Sequence, residues 1–224
     1  MTNLTFLIGL QDILTVLMVL HVCWALRQSF GPAATSRVIL LMPLLALSWG
    51  AVWSYVPALS ATRLAPPPLG QAGVILAALG VLTVFWLSPH VRARAIEARY
   101  TPLLGMAIWR AIFGMSVLAV GAGGGLPPSF FWSVGLGDLA VGLFGCALLL
   151  KGKPVSRKLF VIWNLLGLAD LSHVLILGAL TLVPFFIANP QLPFVNLLPL
   201  AGVPLLLSLH VLGLSKATAA GHRG

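Results

Sequence analysis

Apolar residues in this chain neither alternate with polar ones nor recur at helical spacing; they run on in long unbroken stretches between short polar breaks. A helix needs about 20 mostly apolar residues to cross a hydrocarbon core. Seven stretches qualify, at roughly 4–26, 38–59, 72–88, 102–123, 129–150, 159–183 and 195–215. The breaks between them carry strong helix terminators, among them Pro66-Pro67-Pro68, Gly123-Gly124-Gly125 with Pro127-Pro128, and Asn189-Pro190 with Pro193. Barrel strands fit poorly, because they alternate in polarity and need only about 10 residues. The pattern predicts an all-α polytopic membrane protein, a seven-transmembrane-helix bundle forming one domain over 1–224.

The loop charges orient this bundle. Lys and Arg number two in 27–37, three in 89–100, four in 151–158 and two after Ser215, eleven in all. The intervening connections at 60–70, 124–128 and 184–194 hold only Arg63. Cytoplasmic loops are the basic ones, so the N-terminus is expected outside and the C-terminus in the cytoplasm. Trp24, Trp86, Tyr100 and Trp163 then fall near cytoplasmic ends, and Trp53, Tyr55, Trp132, Phe185 and Phe186 near external ends. Both belts suit rings that favour the interface.

Composition narrows the class further. The chain is 59% hydrophobic and 8% charged over 224 residues, against roughly 25% charged in a soluble domain. A net charge of +9 would suit nucleic acid if it formed a basic face, but the cations are scattered between apolar runs. No nucleic-acid partner is expected. Cys23 and Cys146 both fall within spans, which argues against a disulfide framework. No Lys or Arg precedes the first apolar run, so that run reads as a retained helix rather than a cleaved signal.

The candidate chemistry lies within the spans. At a rise of about 1.5 Å per residue, Arg110 falls about 13 Å above the cytoplasmic edge, Asp170 about 16 Å, Asp138 about 18 Å, and Asp12 and His173 about 21 Å. A second layer of His21, Asn164 and His210 falls about 8 Å deep. A charge at the bilayer centre costs at least about 2.5–3.5 kcal/mol, so Arg110 is expected to face the interior and pair with Asp138 or Asp170. Such a pair can serve packing register alone. Three carboxylates against one arginine leave a surplus, however, and buried carboxylates that take up protons are what proton relays use.

Each aspartate sits in the pattern G-L-x-D-[I/L], at Gly9–Ile13, Gly135–Leu139 and Gly167–Leu171. A glycine one turn before a carboxylate leaves room for another backbone or a small ligand. Coincidence, shared packing and a shared site all remain open. Gly73 with Ala77 and Gly121 with Gly125 have helix-contact spacing. Pro199 and Pro204 are expected to kink the last span.

The histidines admit several readings. His21 and His210 fall at equal depth on the first and last spans and would suit a haem iron with one imidazole on each face. A zinc site would need further ligands from Asn164, Cys23 or Cys146. An ordinary hydrogen bond to a neighbouring helix is the simplest role for each.

Two seven-span families fail at their defining residues. Microbial rhodopsins need a lysine inside the last span, and Lys216 is expected beyond its end. Hydrolases related to alkaline ceramidases need an H-x-x-x-H pair in the final helix, which here offers only His210. Trp109-Arg110 with Gly114, Leu126-Pro127, Gly137-Asp138, Gly142-Leu143, Trp163-Asn164 with Gly167 and Asp170-Leu171, Pro204 and Leu209-His210 resemble an uncharacterised group of bacterial multi-span proteins. The resemblance covers roughly the C-terminal half. It implies one constellation of Arg110, Asp138, Asn164, Asp170 and His210 in a bacterial cytoplasmic (inner) membrane, and it implies no activity.

The leading functional expectation is a small non-enzymatic carrier, channel-like or sensory module in the lipid bilayer, handling a small solute or protons through Asp12, Arg110, Asp138, Asp170 and His173. Alternatives are a haem-binding redox subunit using His21 and His210, an intramembrane enzyme with Asp170 and His173 as acid and base, and a structural accessory subunit.

Overall fold

The structure, a computed structural model, describes residues 2–30, 103–151, 154–189 and 202–220, together with Gly80, Pro89, Ala93 and Leu198. The expected spans at 38–59 and 72–88, Pro199 and the breaks at 60–70 and 190–194 lie outside these, apart from Gly80. Among the described residues all regular structure is helical, and no strand occurs.

Helix α1 is Thr2–Phe30, α2 is Met106–Ala122, α3 is Pro128–Leu150 and α4 is Arg157–Leu177. A π-helical turn, Gly178–Leu182, joins α4 to α5, Val183–Ala188. The last helix, α6, is Val203–Ala220. Three stretches are long and apolar enough to cross a membrane: Leu4–Val22, Pro128–Leu150 and Arg157–Phe186. Met106–Ala122 and Val203–Ala217 are shorter apolar helices.

The helix ends differ from the apolar-run boundaries for local reasons. Helix α1 runs to Phe30, so Arg27 sits on the helix and not in a connection. Nothing before Gly31-Pro32 would stop it. Helix α6 likewise continues past Ser215, and Lys216, expected beyond the last span, lies inside the helix with 5% exposure. The π turn was not legible as such. Pro184, at the start of α5, has no N–H to donate and its ring crowds the preceding turn; a single wide turn relieves that crowding.

The turn from α2 to α3 is specified residue by residue. Gly124 has φ +81°, a left-handed conformation that a Cβ would strain. Gly124 N–H donates to the Gly121 carbonyl at 2.9 Å and Gly125 N–H to the Val120 carbonyl at 3.0 Å, the pair of bonds that closes a helix at a left-handed glycine. Pro128 then opens α3, where a missing N–H loses no bond.

Antiparallel contacts run through the molecule. Gly114 of α2 meets the backbone of Gly135 and Leu139 on α3, while Gly142 meets the backbone of Ala111 and Gly145 meets Ala107. Small residues on both sides let these backbones touch, the usual device where hydrocarbon surrounds the helices. The expected small pair, Gly121 and Gly125, instead receives side chains, from Phe131 and from Leu4 with Val120. Helix α1 runs antiparallel to α2 through Gln11–Ser116 and His21–Trp109. Helices α4 and α6 are antiparallel through Asn164–Gly213 and Gly167–His210.

Two apolar clusters result. One gathers around Phe113, Phe130, Val134, Leu171 and Leu206. The other holds Ala107, Val141, Leu148, Phe160 and Trp163. On α3 the interval between the clusters is occupied by Asp138, with Arg110 opposite it on α2.

Candidate functional site

Arg110 is fully buried at 0% exposure, in the second turn of α2. Its Nε lies 2.8 Å from Asp138 Oδ1 on α3, and its Nη2 donates to Asp170 Oδ2 on α4. One guanidinium thus joins three helices and holds two carboxylates. The Asp170 bond has the geometry of a hydrogen bond. The Asp138 contact is an ion pair without hydrogen-bond alignment, so Arg110 Nε and Asp138 Oδ1 are near neighbours that do not point at one another. Arg110 Nη1 also has no hydrogen-bond partner among the described residues.

Gly137 makes the arrangement possible. A Cβ there would collide with the Asp170 carboxylate, so the residue beside Asp138 on α3 admits the second carboxylate from α4. The glycines of the repeated G-L-x-D pattern do three different things. Gly135 takes the Leu118 side chain and the Gly114 carbonyl, Gly167 takes the His210 ring, and Gly9 has no described residue within 4 Å of an added Cβ.

The two carboxylates open in different directions. Asp138 lines a partly open cavity of about 110 Å³ to which all the long helices contribute, reaching Gly125 and Leu126 in the α2–α3 turn. Asp170 lines a shallow groove between α3 and α4 with Gly137, Phe144, Leu166 and His173. His173 is exposed there, and its Nε2 lies 2.8 Å from Ser133 Oγ.

Of the three residues expected in one cytoplasm-side layer, two meet and the third does not. Asn164 Oδ1 lies 3.1 Å from His210 Nδ1, and its amide donates to the Phe160 carbonyl at 2.8 Å. The His210 ring stacks obliquely on Trp163 at 4.7 Å and lies flush against Gly167. His21, on α1, instead accepts from Trp109 Nε1 at 2.7 Å. Asp12 is buried on the same helix at 8% exposure. No group of three His, Cys, Asp or Glu residues among those described is arranged to hold a metal ion.

Several contributors had no signal of their own in the sequence. Ser133, Ser116, Gln11 and Gly137 resemble the ordinary small or polar residues of any apolar helix. Trp109 was legible only through its position beside Arg110. The cue that would have singled out Gly137 is its place beside an intramembrane aspartate.

Three membrane-length helices and a buried ionic cluster among described residues whose regular structure is all helical are consistent with a membrane location. The chain belongs to a family defined by a domain of unknown function, DUF8737, whose profile matches residues 67–217. That stretch is longer than the roughly C-terminal half marked by the sequence motifs. It contains Arg110, Asp138, Asn164, Asp170, His173 and His210, and leaves Asp12 and His21 outside. No curated protein and no solved structure matches the chain.

Proposed function

We propose that this protein is a proton-coupled carrier or sensory module of a bacterial cytoplasmic membrane, built as seven spans with the N-terminus outside. The observation that carries the reading is the Arg110 cluster: two carboxylates share one guanidinium, and each lines a different opening. With both carboxylates ionised the cluster has one negative charge in excess. An uncompensated charge in a low-dielectric interior is expensive, and one proton removes it. A proton held by Asp138 on the cavity side or Asp170 on the groove side leaves Arg110 paired with the other carboxylate. Arg110 is the fixed cation between the two positions.

Helix directions support the span count. Helices α1 and α2 run antiparallel, as they must if an even number of spans separates them, and the apolar stretches at 38–59 and 72–88 supply two. The strict alternation of basic loops supports the orientation.

The test is proton flux in proteoliposomes carrying a trapped pH dye. Flux driven by a potassium diffusion potential is expected in the native protein and lost in Asp138→Asn and Asp170→Asn. Unchanged flux in both variants would sink the proposal.

A second reading has one observation behind it. Ser133 Oγ lies 2.8 Å from His173 Nε2, with Asp170 one turn before that histidine, the contact expected of a nucleophile and its base. An intramembrane hydrolase of this kind would react with a fluorophosphonate at Ser133. Lack of labelling in folded protein would dismiss it.

A further inference from the structure

We infer that the interior cavity binds a small lipophilic amine, whose ammonium group pairs with Asp138 and replaces the proton there. The inference rests on the proton-coupled reading and names the class of solute for that site.

Among the described residues Gln11 and Asp138 are the two polar side chains in the cavity lining; Phe113, Phe130, Val134, Leu171 and Leu206 are among the apolar ones. A site of that composition offers little to a sugar or another ligand with many hydrogen-bonding groups, because most of those groups would be buried without partners. An anion would meet the carboxylate of Asp138. A hydrocarbon would fit the walls and leave the carboxylate unused.

Asp138 points to a cation. The residue lines the cavity and is 8% exposed, with its Oδ1 buried 2.8 Å from Arg110 Nε. A carboxylate at the wall of an apolar chamber is the partner an ammonium N–H requires. The charge count agrees. The Arg110, Asp138 and Asp170 cluster is neutral with one added cation, and that cation can be a proton or an ammonium. The two therefore exclude one another at Asp138. No new bond is made; the proton on Asp138 leaves to water as the ammonium arrives.

Size limits the ligand. The cavity is about 110 Å³, somewhat below the roughly 150 Å³ of an apolar cavity known to admit benzene. A short branched alkyl chain bearing a primary amine is the upper limit without movement of the walls.

Calorimetric titration of the whole protein in nanodiscs with isobutylammonium tests this, run in two buffers of different ionisation enthalpy to count protons. The expected result is binding with release of about one proton per ligand, with isobutanol and isobutyrate weaker by about thirtyfold or more. Asp138→Asn removes the charge partner and Val134→Phe fills the chamber; each should abolish binding, with folding checked by thermal unfolding. Equal affinity for isobutanol overturns the inference, as does binding that persists in Asp138→Asn. Absence of binding to protein that still passes protons overturns the amine assignment alone. Absence of proton flux overturns the parent reading, whatever the titration shows.

Discussion

The carboxylate of Asp170 rests against the bare backbone of Gly137, so that a methyl group on that glycine would occupy the place of Oδ1. Because Gly137 precedes Asp138, one short piece of α3 both supplies a carboxylate to Arg110 and clears a path for the other. The spacing of the ionic cluster is thus set by a residue without a side chain.

Gly137→Ala should force Asp170 off Arg110 or α4 off α3, at about 1–3 kcal/mol, the usual range for overpacking. Gly9→Ala is the matched control, since no described residue lies within 4 Å of its added Cβ and alanine favours a helix by about 1 kcal/mol over glycine. Thermal unfolding in mild detergent should show a fall for the first and no fall for the second. Equal shifts would show that the contact between Gly137 and Asp170 is not what matters.

Removing the arginine should do more harm than removing all three charges. Arg110→Met strands two carboxylates inside the protein, a change expected to cost about 3–5 kcal/mol. Combining it with Asp138→Asn and Asp170→Asn should restore much of the loss. Arg110→Lys should fall short of the native protein, because a single ammonium cannot present the planar fork that reaches two helices. A triple variant no more stable than Arg110→Met would contradict this account.

The His210 ring fills the space that a side chain on Gly167 would need. Gly167→Ala should therefore loosen the α4–α6 contact by about 1–3 kcal/mol, and His210→Ala in the same chain should return part of it. The double variant measures the coupling directly. Additive losses would mean that the two residues do not compete for one space.

Topology can be read with an impermeant thiol reagent on a background lacking Cys23 and Cys146. Ser129 and Ser156 are both exposed, at opposite ends of α3. Ser129→Cys should label in intact cells, and Ser156→Cys only after the membrane is opened. The reverse pattern would invert the bundle, and labelling of both in intact cells would remove α3 as a span.

The apolar runs made the all-helical character and the membrane-length helices legible, because continuous burial in hydrocarbon leaves an unbroken pattern. Helix ends were less so. Lys216, expected beyond the last span, is carried by α6 in a buried position. Arg110, Asp138 and Asp170 stood out through the cost of intramembrane charge. Their partners did not, since Gly137, Ser133 and Trp109 acquire meaning only from what α4 and α1 bring against them.

What this sequence by itself determined was the set of expensive residues: one arginine and three aspartates set within apolar runs. Solvation energy depends on depth along a helix, and depth can be counted. Which of them meet was decided by the tertiary structure alone. Asp138 and Asp170 close on Arg110 while His21 goes to Trp109 and His210 to Asn164. Rotation and register between helices set those pairings, through close contacts such as Gly114 on Gly135 and Gly142 on Ala111. No residue carries that information singly, because a glycine's effect depends on which backbone arrives opposite it.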